Sequence, residues 1–487
     1  MNPSSYASLP ERFYSRVSPT RVAAPRTIKL NHALAAGLSL DPASLDEAAS
    51  AALFSGNSLP PGSVPIAMAY AGHQFGHFVP QLGDGRAILI GESRNQKGEL
   101  RDIQLKGCGR TPYSRNGDGR AALGPVLREY LVSEAMHAMG IPTTRALAAV
   151  TTGESVQREV PLPGAILTRV AASHVRVGTF EFFAARGDLA GLRLLADYVI
   201  HRHYPACARE KQPHLALLQE VVSRQAALVA SWMNVGFIHG VMNTDNMAVS
   251  GETIDFGPCA FMDAYDPAAV FSSIDQRGRY AYANQPHAAA WNLARLAETL
   301  LPLIDVDSTR AIDAATAVLE SFARQSADCW MAGMRRKLGL SLAESGDQKL
   351  AEDLLNAMHQ SQADFTLTFR ALGEASADPS GNAHLRSIFH DGRVFQDWSP
   401  RWQARLARET TTAGERLEAM RRANPAFIPR NHRVEQMIAA AVEQGDFGAF
   451  ERLAAALAQP FEDQPEYADL ASAPRPAERV LQTFCGT

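Results

Sequence analysis

HGVMNTDNMAVSGETIDFG, residues 239–257, is the stretch whose reading decides the fold. Two short apolar runs, 247–249 and 253–254, flank the turn-forming pair Ser250-Gly251, and the pattern predicts a tight hairpin. A hairpin draws its open ends together, so Asn246, just before the first run, and Asp255, just after the second, are expected side by side. An amide oxygen beside one carboxylate is too small a donor set for a free-standing metal cage. Mg²⁺, however, takes one or two protein oxygens and completes its octahedron with water and phosphate, so the pair points to a metal–nucleotide site.

His239 through Asn246, followed by Asp255-Phe256-Gly257, has the spacing of a protein-kinase catalytic loop, H-R-D-x-x-x-x-N and then D-F-G. One position breaks the pattern. Val241 stands where a kinase carries its catalytic Asp, and a valine cannot accept a proton.

Upstream, Leu218, Val222, Leu228, Trp232 and Met233 recur at helical spacing, which predicts a helix over 217–235 stopping at Gly236 and feeding the chain into the loop. Downstream, 261–286 is rich in turn residues and reads as an activation-segment analogue, followed by a helix over 291–300. From Asp305 onward the chain reads as almost all helix, with Leu350, Leu354, Met358 and Phe365 at core spacing.

The first half reads as strands around one helix. In RDIQLKG, residues 101–107, Ile103 and Leu105 alternate with Asp102, Gln104 and Lys106, a half-buried strand with Lys106 on its polar face. Gly124-Pro125 starts a helix that carries Leu127, Leu131 and Met136 on its apolar face and ends at Gly140. Glu129, mid-helix, needs a partner, and a strand lysine followed by a helix glutamate is how kinases hold a phosphate-binding lysine. Before them, Gly83-Asp84-Gly85-Arg86 opens a strand over 87–90 and suits a phosphate-covering loop, although such a G-x-G is more often an ordinary turn. Further strands are expected at 147–151 and 165–168, and Arg169 and Arg176 bracket a small-residue loop as phosphate clamps, with His174 between them structural. Residues 1–60, with several prolines and a short amphipathic stretch at 30–40, read as an extended arm packed on the body.

The chain has 487 residues with a formal net charge of −4, long enough for two or three subdomains and too balanced for bulk electrostatic binding to nucleic acid. No stretch is apolar enough to span a bilayer, and Pro10, Pro19 and Pro25 break any amphipathic targeting helix, so the expectation is a cytoplasmic monomer. Cysteines 108, 207, 259, 329 and 485 are too scattered for a disulfide framework or a C-x-x-C metal site, and Cys485 alone lies near an end where a thiol would be accessible. The residues by themselves leave three functions open: a nucleotidyl transferase, a kinase-type phosphotransferase with Asp245 as a displaced base, or a non-catalytic nucleotide-binding scaffold.

Six blocks narrow this: YAGHQFGHFVPQLGDGRAILIGE, QLKGCGRTPYSRNGDGRAAL, LTRVAASHVRVGTFEFF, HGVMNTDNMAVSGETIDFGPCAFMD, GRYAYANQPHAAAWNL and NPAFIPRNHRVEQMI. Together they resemble, from about residue 60 to the C-terminus, the selenoprotein O (SelO, YdiU) family of protein adenylyltransferases. The resemblance implies an α+β, bilobal protein-kinase-like fold, with an N-terminal extension (1–60), a β-rich N-lobe (61–165), a helical C-lobe (166–304) and a further C-terminal helical region (305–487). It implies ATP bound in an inverted orientation and AMP transferred to Ser, Thr or Tyr hydroxyls of protein substrates, with Mg²⁺ or Mn²⁺ as the ion. Matched motif by motif, Gly83, Gly85, Arg86, Lys106, Asp118, Gly119, Arg169, Arg176 and Asp255 would contact the nucleotide, with Glu129 orienting Lys106. Asn246 and Asp255 would hold the ion, Asp245 would act as the base, and the family's redox-active residue near the end matches Cys485, although the closing CGT departs from some members.

Overall fold

A computed structural model describes residues 1–40, 46–378 and 382–484. Its first half holds an antiparallel sheet and its second half is mostly helical. The strands are β1 (Tyr14–Arg16), β2 (Arg26–Leu30), β3 (Ile66–Met68), β4 (Gly72–Gln74), β5 (His77–Val79), β6 (Ala87–Arg94), β7 (Leu100–Lys106), β8 (Ala121–Ala122), β9 (Arg145–Gln157) and β10 (Pro161–Ala171). The main sheet runs β1-β3-β6-β7-β10-β9-β2, with β8 also paired to β10, while β4 and β5 form a separate two-stranded ribbon.

This order corrects the expectation for the N-terminal segment. Residues 1–60 are not merely an arm: β1 and β2 close the two opposite edges of the sheet, and α1 (His32–Gly37) and α2 (Glu47–Ser55) pack on one of its faces. Capping both edges hides backbone groups that would otherwise be open for pairing.

β7 is central and not half-exposed. Asp102 and Gln104 are as buried as Ile103 and Leu105, because Arg202 of α5 (Leu189–His203) comes within 2.8 Å of Asp102 and Gln104 is bonded to Asp84 and Arg169. The polar face of this strand therefore meets charged partners instead of water, and Lys106 at its end is not a solvated edge lysine.

α3 (Leu123–Ala138) lies across the sheet with Leu127, Leu131 and Met136 fully buried. α4 (Val177–Ala184) and α6 (Pro213–Asn234) lead toward the middle of the chain, where β11 (Phe237–Ile238) pairs with β12 (Ala260–Phe261) and closes the whole 237–261 segment into one loop. α7 (Gln285–Ile304) and the long α8 (Ser308–Leu338) pack against α6, and α9 (Asp347–Gln360), α10 (Phe365–Ala377), α11 (Asn382–Ile388), α12 (Gly392–Leu406) and α13 (Ala413–Ala423) build a second core around the stacked Trp398 and Trp402. α14 (Asn431–Ala439) and α15 (Gly448–Leu457) return to α3. No helix among the described residues is long and apolar enough to cross a membrane.

Candidate functional site

The expected tight hairpin between 247–249 and 253–254 does not form. Ala248 bridges to Arg176 and Thr253 to Thr143, so the two runs splay apart and pair with different partners. The turn itself survives, with the Gly251 N–H donating to the Ala248 oxygen at 3.1 Å. The Trp232 indole N–H donates to the Thr253 hydroxyl at 2.9 Å and holds the second run toward α6.

The consequence of the splay is that the neighbour of Asp255 fixed by shared bonds is Asp245. Arg176, at the N-cap of α4, places Nη1 2.8 Å from the Asp245 backbone oxygen and 3.0 Å from Asp255 Oδ2. Asp255 Oδ1 also accepts from Lys106 Nζ at 3.0 Å and from Arg169 Nη2 at 2.6 Å. Lys106 donates to Glu129 Oε2 at 2.6 Å and Arg169 Nε to Glu129 Oε1 at 2.8 Å, so the lysine–glutamate pairing expected from the sequence is present and shared with an arginine. Burial by itself would raise both carboxyls, but Arg169 and Lys106 hold Glu129 below the usual range, and with Arg176 they hold Asp255 well below it. Asp255 is a non-glycine residue at φ +65°, a conformation that persists only where its surroundings fix it.

The glycine loop is tied to this cluster through a residue that the sequence reading passed over. Asp84, between Gly83 and Gly85, is buried, accepts from the Met68 N–H and the Gln104 amide at 3.2 Å each, and lies 3.7 Å from Arg176 Nη2. Gly83, at φ +75°, leaves no room for a side chain: a Cβ would stand 2.3 Å from the Tyr113 ring. The loop 108–120 thus clamps the glycine loop, helped by the Thr111 hydroxyl donating to the Asp84 oxygen at 2.7 Å.

Other expected nucleotide residues share no hydrogen bond or ion pair with the cluster among the described residues, although the Arg86 oxygen accepts from Gly107 N–H beside Lys106. Asp118 pairs with Arg158 at 2.8 Å, and Gly119 packs on the backbone of Gly109. The side chain of Arg86 has no ion pair or hydrogen bond among the described residues, and neither have those of Arg110 and Arg115, which the motifs did not single out. Cys485 lies outside the described residues.

Asp245 differs in kind from Asp255. Burial pushes its carboxyl up to about 6, with Arg176 opposing, and the only side chain among the described residues that donates to it is Gln74, whose Nε2 lies 3.2 Å from Oδ2. Its Oδ1 is buried without a hydrogen-bond partner among the described residues. Gly72 makes space for that oxygen, since a Cβ there would stand 2.8 Å from it. Arg176 grips the backbone oxygen of Asp245 rather than its carboxylate, and burial dominates at the carboxyl.

The β4–β5 ribbon holds the loop from the other chain segment. His73 N donates to the Thr244 hydroxyl at 2.7 Å, Phe75 N to Asn243 Oδ1 at 3.0 Å, and Glu181 receives both His73 Nδ1 and the Thr244 hydroxyl at 2.5 Å. From α7, Gln285 accepts from the His239 N–H at 3.0 Å and Asn292 donates to the Met242 oxygen at 2.9 Å. His239 Nε2 lies 2.9 Å from the Ile254 oxygen, so burial keeps this ring neutral with the proton on Nε2. The block GHQFGHF carried no assigned roles in the sequence, because backbone bonds across about 170 positions leave no local signature.

Asn246 and Asp255 each keep oxygen of the kind a divalent ion takes, although the hairpin expected to set them side by side does not form. Asn246 spends its Nδ2 on the Val241 oxygen at 3.0 Å and leaves Oδ1 without a partner among the described residues, and Asp255 Oδ2 accepts from Arg176 alone. Both are hard oxygen donors of the kind Mg²⁺ takes beside phosphate. Among the described residues no group of three or more His, Cys, Asp or Glu is placed to hold a metal without such help.

Comparison with known proteins adds an independent line. The family model described as Protein adenylyltransferase SelO matches residues 2–458. A Bradyrhizobium sp. (strain BTAi1) relative, named Protein nucleotidyltransferase YdiU, is 62% identical over 483 residues, covering 99% of this chain and 98% of its own length. Relatives of the same name from Rhizobium rhizogenes and Rhizobium meliloti are 62% and 61% identical, each covering 99% of this chain and 96% and 98% of their own lengths.

Proposed function

The chain belongs to the SelO family of protein adenylyltransferases, and from that premise we propose that it transfers AMP from ATP to Ser, Thr or Tyr hydroxyls of protein substrates. The observation that carries the reading is the buried Asp245 Oδ1, without a partner among the described residues and two bonds of Arg176 away from Asp255. A carboxylate with one oxygen held by Gln74 and the other unengaged is arranged to receive a hydroxyl proton.

In this reading the sheet and α3 form the N-lobe of a bilobal kinase-like fold and the helices from α4 onward form the C-lobe, with ATP turned round relative to a kinase. Val241 supports the reversal, because the residue that serves the γ-phosphoryl group of a kinase is lost while the cationic cluster is kept. The acceptor hydroxyl gives its proton to Asp245 Oδ1 as its oxygen bonds to the α-phosphorus. The bond from that phosphorus to the bridging oxygen breaks, and pyrophosphate leaves with the electron pair. Lys106 and Arg176 balance the negative charge that spreads over the phosphates, and Arg86, Arg110 and Arg115 extend that field along the glycine loop. Asn246 and Asp255 would hold the Mg²⁺ or Mn²⁺, which supplies further neutralisation of phosphate charge. Glu129 keeps Lys106 and Arg169 in place.

The test is to incubate the protein with ATP labelled at the α- or the γ-phosphate and a divalent ion. Protein-bound α-label supports AMP transfer. Protein-bound γ-label replaces it with a kinase-type reaction using Asp245, and no label leaves a nucleotide-binding scaffold.

A further inference from the structure

Beside Asp245 lies a surface that neither the nucleotide cluster nor the proton transfer uses. The Arg279 guanidinium stands 4.8 Å from the Trp291 ring centroid and 5.8 Å from that of Tyr280, and it faces the turn of the β4–β5 ribbon, where a Cβ on Gly76 would be 3.5 Å from its Nη1. No carboxylate pairs with it among the described residues, and its Nε is buried without a hydrogen-bond partner. The nearest acid in sequence, Asp275, is occupied by the backbone N–H groups of Arg279 and Tyr280 at 2.9 and 2.7 Å. Arg295, on the same Trp291 at 5.0 Å, is paired with Glu298.

Apolar surface adjoins this cation. Phe78 on β5 is 39% exposed, its ring 5.0 Å from that of His73, which in turn lies 5.2 Å from Trp291. The patch is linked directly to the reacting end: Gln74 of the same ribbon donates to Asp245, and the Tyr280 hydroxyl donates to Asn243 at 2.8 Å. By contrast, no hydrogen bond or ion pair among the described residues joins Arg279 to Lys106, Arg169 or Arg176.

We infer that this face docks the acceptor protein through a segment carrying a carboxylate near its target hydroxyl, with Arg279 taking the carboxylate and Phe78, His73 and Trp291 taking an apolar neighbour. The inference rests on Asp245 marking the transfer site. A guanidinium held over an aromatic ring is restrained and weakly hydrated, so it loses little in exchanging water for a carboxylate. Trp, Tyr and Arg grouped around one unpaired charge are also the side chains that dominate protein-recognition energies. A carboxylate is favoured over a nucleotide phosphate because the phosphate-binding charges are gathered elsewhere, around Asp255.

The experiment uses fluorescein-labelled peptides with one hydroxyl residue and one aromatic, differing only in whether the flanking positions are Glu, Gln or Lys. Anisotropy measures their binding, and α-label measures transfer. The wild type is expected to bind the Glu peptide about tenfold more tightly than the Gln peptide. Arg279→Gln should erase that preference without changing KM for ATP, Arg279→Glu should turn it toward the Lys peptide, and Asp245→Asn should retain it while losing transfer. Equal binding of all three peptides by the wild type overturns the inference, as does a rise in KM for ATP in Arg279→Gln with acceptor preference intact. If acid-selective binding is seen and no α-label moves, AMP transfer is the reading that fails and the docking surface stands.

Discussion

Arg176 Nη1 lies 3.0 Å from Asp255 Oδ2 and 2.8 Å from the backbone oxygen of Asp245, so one guanidinium fixes the spacing between these two acids. It is buried, and a third acid, Asp84, ties it to the glycine loop. One side chain therefore ties together acids from three separate stretches of the chain.

Replacing Arg176 by Ala should lower stability by about 3–5 kcal/mol, because Asp84 and Asp255 lose a buried partner. Arg176→Lys keeps the charge but cannot span both oxygens. It should melt closer to the wild type while transfer falls about 10²-fold. Transfer at the wild-type rate in the lysine variant would show the tie to be dispensable.

Asp245 predicts opposite effects on activity and stability. Its carboxyl is raised to about 6, so transfer should climb as pH rises through 6 and level off above, where the base is ionised. For stability, the folded state binds more protons than the unfolded one between the ordinary value of 3.8 and about 6, so this residue's contribution declines as pH rises across that window. The ionised group thus costs at most roughly 3 kcal/mol at neutral pH. Asp245→Asn should abolish transfer and raise the melting temperature at pH 7, with the gap closing toward pH 4; an unchanged or lower melting temperature at pH 7 would refute the burial argument.

Glu129 is the counter-charge for two cations, Lys106 and the fully buried Arg169. Glu129→Gln should lower the free energy of unfolding by about 3 kcal/mol. The double variant with Lys106→Met should lose less than the sum of the two singles, since a contacting pair couples. Denaturant midpoints at unchanged slope give both numbers, and strict additivity would deny the coupling.

Lys337 on α8 is buried against the faces of Phe369 and Phe365, 4.1 and 5.2 Å from their centroids, and burial pushes its amine down to about 7. The unfolded chain binds the proton up to about 10.5, so between about 7 and 10.5 the unfolded state holds more protons and stability rises with pH. Lys337→Met, of similar volume, should flatten that rise and stabilise the protein at pH 7, by a few kcal/mol at most, roughly 4. Melting curves at pH 7 and 9 for both proteins test it.

The sequence by itself determined the elements with strong local patterns. Leu127, Leu131 and Met136 gave α3 its buried face, Gly236 ended the feeding helix within about two residues of its observed stop, and the spacing from His239 to Asp255 marked the loop on which the site stands. The partnership of Lys106 with Glu129 was legible because a strand end and a helix middle about one loop apart must meet if the helix packs on that strand. The tertiary structure alone decided which partner each strand-like run would take. Runs 247–249 and 253–254 each offer unpaired backbone groups, and a local pattern cannot tell a neighbouring run from one at Val175 or Thr143. Likewise β1 and β2 reach the two sheet edges, and Gln74 reaches Asp245, by contacts whose free energy is realised only when distant segments pack together. Local periodicity records which face of an element is apolar, whereas the third charge on Asp255, the free oxygen of Asp245 and the aromatic seat of Arg279 come from the packing of those faces.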